Sequence, residues 1–104
     1  MQIIIDMDGT ICEEKRQFSR CLAAPKDGAV AAINGLYESG HTIIIYSSRT
    51  WIEYEMTVDW LARHGVKYHQ LVMGKPVGDV WIDDRAITCK DNWAEIAKQL
   101  QGHK

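Results

Sequence analysis

Residues 1–10 read MQIIIDMDGT: three isoleucines at 3–5 run directly into Asp6 and Asp8, followed by Gly9-Thr10. A short unbroken apolar run is what a strand buried on both faces of a parallel sheet requires. Two carboxylates at its end crowd each other and resist joint ionisation, which a purely structural strand has no reason to arrange. A site for a cation and a phosphate does. The pattern recurs along the chain. Thr42–Tyr46 (TIIIY) is a second such run, and Val66–Val72 is a weaker one with the character of an edge strand. Val80–Ile82 is a short fourth that again ends on two aspartates, Asp83 and Asp84.

Helical patterns lie between the strands. Pro25 suits a first helical turn, and Val30, Ile33, Leu36 and Tyr37 form an apolar stripe that Gly40 ends. Thr50-Trp51-Ile52-Glu53 matches a capping box, with Ile52, Met56 and Trp60 on one face and Gly65 as the stop. A third helix is expected from Asn92 to Leu100, with Trp93, Ile96, Ala97 and Leu100 inward. Strands alternating with helices imply an α/β fold with a parallel sheet and right-handed crossovers. Ile11–Ala24 lacks periodicity. It leaves the first strand at the carboxyl edge of the sheet, where open α/β sheets bind ligands, and reads as a flap-like segment.

The 104 residues are expected to form a single domain. A net charge of −2 offers no general basic field, which argues against nucleic acid as a partner. With no leader pattern and no membrane-length run, the expectation is a cytoplasmic protein without a membrane partner. Cys12, Cys21 and Cys89 are an odd number without a C-x-x-C, so neither a disulfide frame nor a zinc site is expected.

Four strand ends fall on one edge. They carry Asp6 and Asp8; Ser47, Ser48 and Arg49; Gly74-Lys75-Pro76; and Asp83 and Asp84. Alone, each has an ordinary structural explanation, a solvated turn or a helix cap. Together they supply carboxylates for Mg²⁺, which takes one or two of them plus phosphate oxygens. They also supply a lysine suited to a phosphate oxygen, a hydroxyl, and a Gly9-Thr10 turn able to aim N–H groups at an anion.

These residues resemble, in order, the four signature motifs of the haloacid dehalogenase superfamily: Asp-Met-Asp-Gly-Thr, Ser47 after a hydrophobic strand, Lys75 in Gly-Lys-Pro, and Asp83-Asp84. HTIIIYSSR, HGVKYHQLVMGKP and WIDDRAI are similar to small capless phosphatases of that superfamily found with capsule and surface-polysaccharide genes. The resemblance implies a three-layer, Rossmann-like sheet with helices on both faces and no cap domain. It implies a Mg²⁺-dependent phosphomonoesterase in which Asp6 is the nucleophile and forms an aspartyl-phosphate. Asp8 would serve as acid and then base. Asp6, Asp8, Asp83 and Asp84 would hold Mg²⁺, and Ser47 and Lys75 would grip the phosphoryl group with Gly9 and Thr10.

The second motif departs from the family pattern in having Ser-Ser, which leaves Ser48 open. Ser48, Arg49 and Trp51 are candidate substrate contacts, with surface or packing roles as the alternative for Arg49 and Trp51. The expected substrate is a small phosphorylated metabolite such as a sugar phosphate, in surface-polysaccharide or nucleotide-sugar metabolism. The alternatives are a macromolecular phosphate, on a nucleic-acid end or a protein, and a non-catalytic phosphate-binding module. A signalling receiver domain places its lysine last, and here Lys75 precedes Asp83-Asp84. Without a cap the site is expected to be open. Four tryptophans in so small a chain favour a homo-oligomer whose neighbour covers it.

Overall fold

The structure, a computed structural model, describes residues 1–102. Three parallel strands, β1 (Gln2–Asp6), β2 (Thr42–Tyr46) and β3 (Gln70–Val72), lie in the order β1-β2-β3. Helix α1 (Ala29–Glu38) links the first two, and α2 (Tyr54–Arg63) links the next two after a 3-10 turn at Trp51–Glu53. Helix α3 (Trp93–Gln101) packs along α1. The molecule is thus an α/β protein with a Rossmann-like parallel sheet. No described helix is long and apolar enough to cross a membrane.

Register explains which residues are inside. Ile3 pairs with Ile43, and Ile5 with Ile45, which in turn pairs with Leu71. Alternation along each strand puts these side chains on one face. Ile5, Ile43, Ile45 and Leu71 are buried there with Ile33 and Leu36 of α1 and Trp60 and Leu61 of α2. Each such side chain contributes about 1.5–3 kcal/mol. The opposite face is more open, and Ile4 is 62 % exposed.

The expected fourth strand does not form. Val80–Ile82 carries no strand pairing, and Val80 and Ile82 are 75 % and 97 % exposed. Three apolar residues favour a strand only where an edge receives them. Among the described residues the outer edge of β1 has no strand partner. The third strand is also shorter than Val66–Val72, because its first half is bonded elsewhere. Val66 N–H donates to Leu61 O at the end of α2, and Lys67 N–H to Asn34 Oδ1. His69 N–H donates to Ile43 O while its Nδ1 accepts from Ile43 N–H.

Two helix starts shift as well. Pro25 lies ahead of α1, bridged to Cys12, because Gly28 at φ 76° breaks the chain before the helix begins. The capping box at Thr50 and Glu53 forms, but it opens the 3-10 turn, and this leaves Ile52 exposed rather than in line with Trp60.

Candidate active site

The turn after β1 is built on one carbonyl. Met7, itself fully buried, accepts at its O from the N–H groups of Thr10, Ile11 and Cys12. Gly9 closes the turn at φ 84°, a conformation costly for any residue with a Cβ. Its N–H donates to Cys12 O. The Gly9 and Thr10 amides are therefore engaged inside the turn, not aimed outward at an anion as expected. The indole of Trp93 donates to Thr10 O at 2.8 Å, so α3 pins the turn from below. This fixes Asp6 and Asp8 on a firm base.

Asp6 stands between two donors. Lys75 Nζ lies 3.0 Å from its Oδ1, and Thr10 Oγ1 donates to its Oδ2 at 3.1 Å. Lys75 reaches it because the ends of β2 and β3 are zipped together. Ser47 N–H donates to Val72 O, Lys75 N–H to Ser47 O, and Gly74 N–H to Arg49 O. The ammonium also lies 5.1 Å from the Trp81 ring centroid and 6.0 Å from that of Tyr46. Asp6 is one-third exposed, so it can be reached from solvent.

Asp8 is held differently. The fully buried guanidinium of Arg49 meets it as a fork, Nη2 to Oδ1 at 2.7 Å and Nε to Oδ2 at 2.9 Å. Burial alone would lower the pKa of Arg49, but the hydrogen bonds and charge of Asp8 prevail and raise it. The Cys12 thiol also reaches Asp8 Oδ1, at 3.7 Å. Burial first, then the nearby Asp8 charge, push that thiol up to about 12, so it stays protonated and is no nucleophile near neutrality.

Around these groups lies an open cavity of about 250 Å³, lined by Asp6, Asp8, Glu14, Arg20, Ser48, Lys75, Pro76, Val77, Gly78 and Trp81. Of the residues expected from sequence, it brings together Asp6, Asp8, Ser48 and Lys75. Ser47 does not line it: its side chain is fully buried, and Oγ accepts from Arg49 N–H at 3.1 Å. Arg49 is buried behind Asp8 and is not available to a substrate. Trp51 is two-thirds exposed and stacks on Tyr54, away from the cavity.

Asp83 and Asp84 fall outside it too, because the strand that should deliver them is absent. Asp83 Oδ1 accepts from Arg85 N–H in a local turn. Among the described residues no group of three or more His, Cys, Asp or Glu is placed to hold a metal ion. The four-carboxylate Mg²⁺ set expected from sequence does not fit this arrangement.

Two lining residues were not singled out from sequence, Glu14 and Arg20. Both sit in Ile11–Ala24, whose only legible signal was its place after β1. Arg20 is held by Glu53 at 2.6 Å, its Nε buried without a partner among the described residues. The segment is closed at its base by Glu13 N–H donating to Ala24 O, and by the Trp60 indole donating to Ala23 O.

No family model and no curated protein matches this chain. Solved structures do. A structural-genomics target from Vibrio cholerae superposes with a TM-score of 0.76 at 24% identity, over 97% of this chain and 96% of that one. Chains from the Pnkp1/Rnl/Hen1 complex, in one case described as an RNA repair complex, match with a TM-score of 0.63 at 20% and 23% identity. They cover 80% and 95% of this chain, which spans only 31% and 30% of theirs. At these identities the likeness establishes a shared α/β fold.

Proposed function

We propose that this chain is a phosphomonoesterase of the haloacid dehalogenase type, acting through an aspartyl-phosphate on Asp6. The observation that carries the reading is the Asp6–Lys75 pair at the mouth of an open cavity, with Asp8 two residues away on a rigid turn. A carboxylate with one ammonium beside it is a nucleophile placed where a phosphate oxygen would be drawn. An Asp6 oxygen attacks phosphorus, the P–O bond to the alcohol breaks, and the leaving oxygen takes from Asp8 the proton that Asp8 gained from water in the preceding turnover. Water then attacks the phosphorus of the acyl phosphate and gives its proton to Asp8, releasing phosphate and restoring Asp6. Lys75 offsets charge on the transferring group, which is where phosphoryl transfer gains most.

Turnover is expected to need Mg²⁺ by the family resemblance alone, since the carboxylates of the cavity are not placed as a metal-holding group among the described residues. Asp6, Asp8 and Glu14 line the cavity against Lys75 and Arg20. The substrate favoured by the cavity's small size is a small phosphorylated metabolite, with a sugar phosphate first by the family resemblance. A phosphate on a nucleic-acid end is the second reading, favoured by the same open mouth and by the fold shared with chains of an RNA repair complex. Purified protein should release phosphate from an aryl phosphate with Mg²⁺ and stop on chelation. Absence of turnover with every divalent metal would reject the enzyme reading. Sugar phosphates and oligonucleotides phosphorylated at either the 5′ or the 3′ end, compared by kcat/KM, separate the two substrate classes.

A further inference from the structure

We propose that Arg49 is a positioning residue for Asp8, an inference that rests on the phosphatase reading of the same site. Both the side chain and the main chain of Arg49 point to it. The side chain is fully buried, and removing a guanidinium from water is costly unless its donors are met. They are met almost wholly from inside. Nε and Nη2 hold the two oxygens of Asp8, and Nη1 donates to Thr57 Oγ1 at 3.0 Å and lies 3.8 Å from Met56 Sδ. Thr57 in turn donates to Glu53 O, so the fork is seated on the first turns of α2. The main chain of Arg49 is fixed as well, its N–H to Ser47 Oγ and its O from Gly74 N–H. A substrate-gripping arginine would spend donors on the cavity, and this one spends them on holding a carboxylate.

The fork constrains which atom of Asp8 does the work. Oδ1 already accepts from Arg49 Nη2 and from the Cys12 thiol. Among the described residues Oδ2 accepts from Arg49 Nε alone. A carboxylate oxygen has two lone pairs, so Oδ2 keeps one uncommitted. That is the place for the proton passed to the leaving oxygen and later taken from water. Arg49 fixes the rotamer of Asp8 so that this lone pair keeps one direction, which only a planar bidentate fork can do.

The test uses two esters and reads kcat/KM, which covers the steps up to formation of phospho-Asp6. For Arg49→Gln, kcat/KM on an alkyl phosphate should fall about 10²- to 10³-fold. On an aryl phosphate with an acidic phenol, which leaves without a proton, it should fall less than about 10-fold. KM should not rise by more than about 3-fold on either ester, and on the aryl ester it should fall together with kcat, because slowed water attack lets phospho-Asp6 accumulate. Arg49→Lys should not restore the alkyl rate, since it keeps the charge and loses the fork. In an Asp8→Asn background, Arg49→Gln should add little. Thr57→Val, which leaves Arg49 and Asp8 in place, should show a weaker loss with the same leaving-group dependence, and it decides the matter if the Arg49 variants do not fold. Equal losses on both esters, a rise in KM alone, full rescue by lysine, or additive losses with Asp8→Asn would each overturn the proposal while the wild-type enzyme stays a phosphatase. A wild type that hydrolyses neither ester would overturn both.

Discussion

Two stretches of this chain follow one recipe, an apolar run ending on two aspartates, and meet different fates. Ile3–Ile5 lies in β1, paired residue for residue with β2, and its aspartates are fixed by Lys75, Thr10 and Arg49. Among the described residues Val80–Ile82 pairs with no strand, and its aspartates find only local turn contacts at Arg85. The local sequence is nearly the same. What differs is the supply of partners: β1 has a neighbouring strand and two helices to pack under it, and the later run has none. Strand propensity is a matter of fit to a half-buried surface, and a carboxylate pair becomes a site only when other chain segments bring cations to it.

The comparison can be broken at several points. The largest effect is expected at Asp6. Asp6→Asn should keep the fold and cut turnover on the order of 10⁴-fold or more, measured as phosphate release. Near-normal rates would remove the first aspartate pair from its role. Next comes the packing under it. Ile45→Ala should cost about 2–5 kcal/mol in denaturant unfolding, since Ile45 is fully buried beside Ile5 and Leu71.

Smaller is the contrast among thiols. Below its raised pKa Cys12 is a buried thiol, so iodoacetamide at pH 8 should label the partly exposed Cys21 and Cys89 and spare Cys12. Its labelling should quicken as pH climbs towards about 12, where thiolate appears. Rapid labelling of all three at pH 8 would show that the turn around Asp8 opens. The smallest effect is expected in the second run. Ile82→Ser should change stability by no more than about 0.5 kcal/mol, as for an exposed position. A loss of core size there would mean that Ile82 packs as a strand and that the two runs are alike after all.

The sheet was legible wherever a run of isoleucines offered strong pattern. Ile3–Ile5 and Thr42–Tyr46 lie where expected, as does the stripe of α1, with Ile33 and Leu36 inside. The helix expected at 92–100 lies at Trp93–Gln101. Legibility failed where an outcome depended on distant partners. Nothing in VWI says whether an edge will receive it. Nothing in Val66–His69 says that Asn34 and Ile43 will claim those backbone and ring groups. At the site, residue types were readable and their aims were not. Ser47 and Arg49 both look like rim residues, and alternation past the end of β2 turns both inward, leaving Ser48 on the cavity. The contributions of Glu14 and Arg20 come from a segment without periodicity, and they follow from tertiary anchoring at Glu53 and Trp60 that no local pattern encodes.

The central claim is that Asp6 attacks phosphorus and carries the phosphoryl group. It is tested most directly by quenching the enzyme during turnover, reducing it with borohydride, and sequencing its peptides by mass spectrometry. An acyl phosphate is reduced to the alcohol, so Asp6 should be converted to homoserine in substrate-treated protein and remain intact without substrate. Steady phosphate release with Asp6 unmodified, or modification at another carboxylate, would contradict the account.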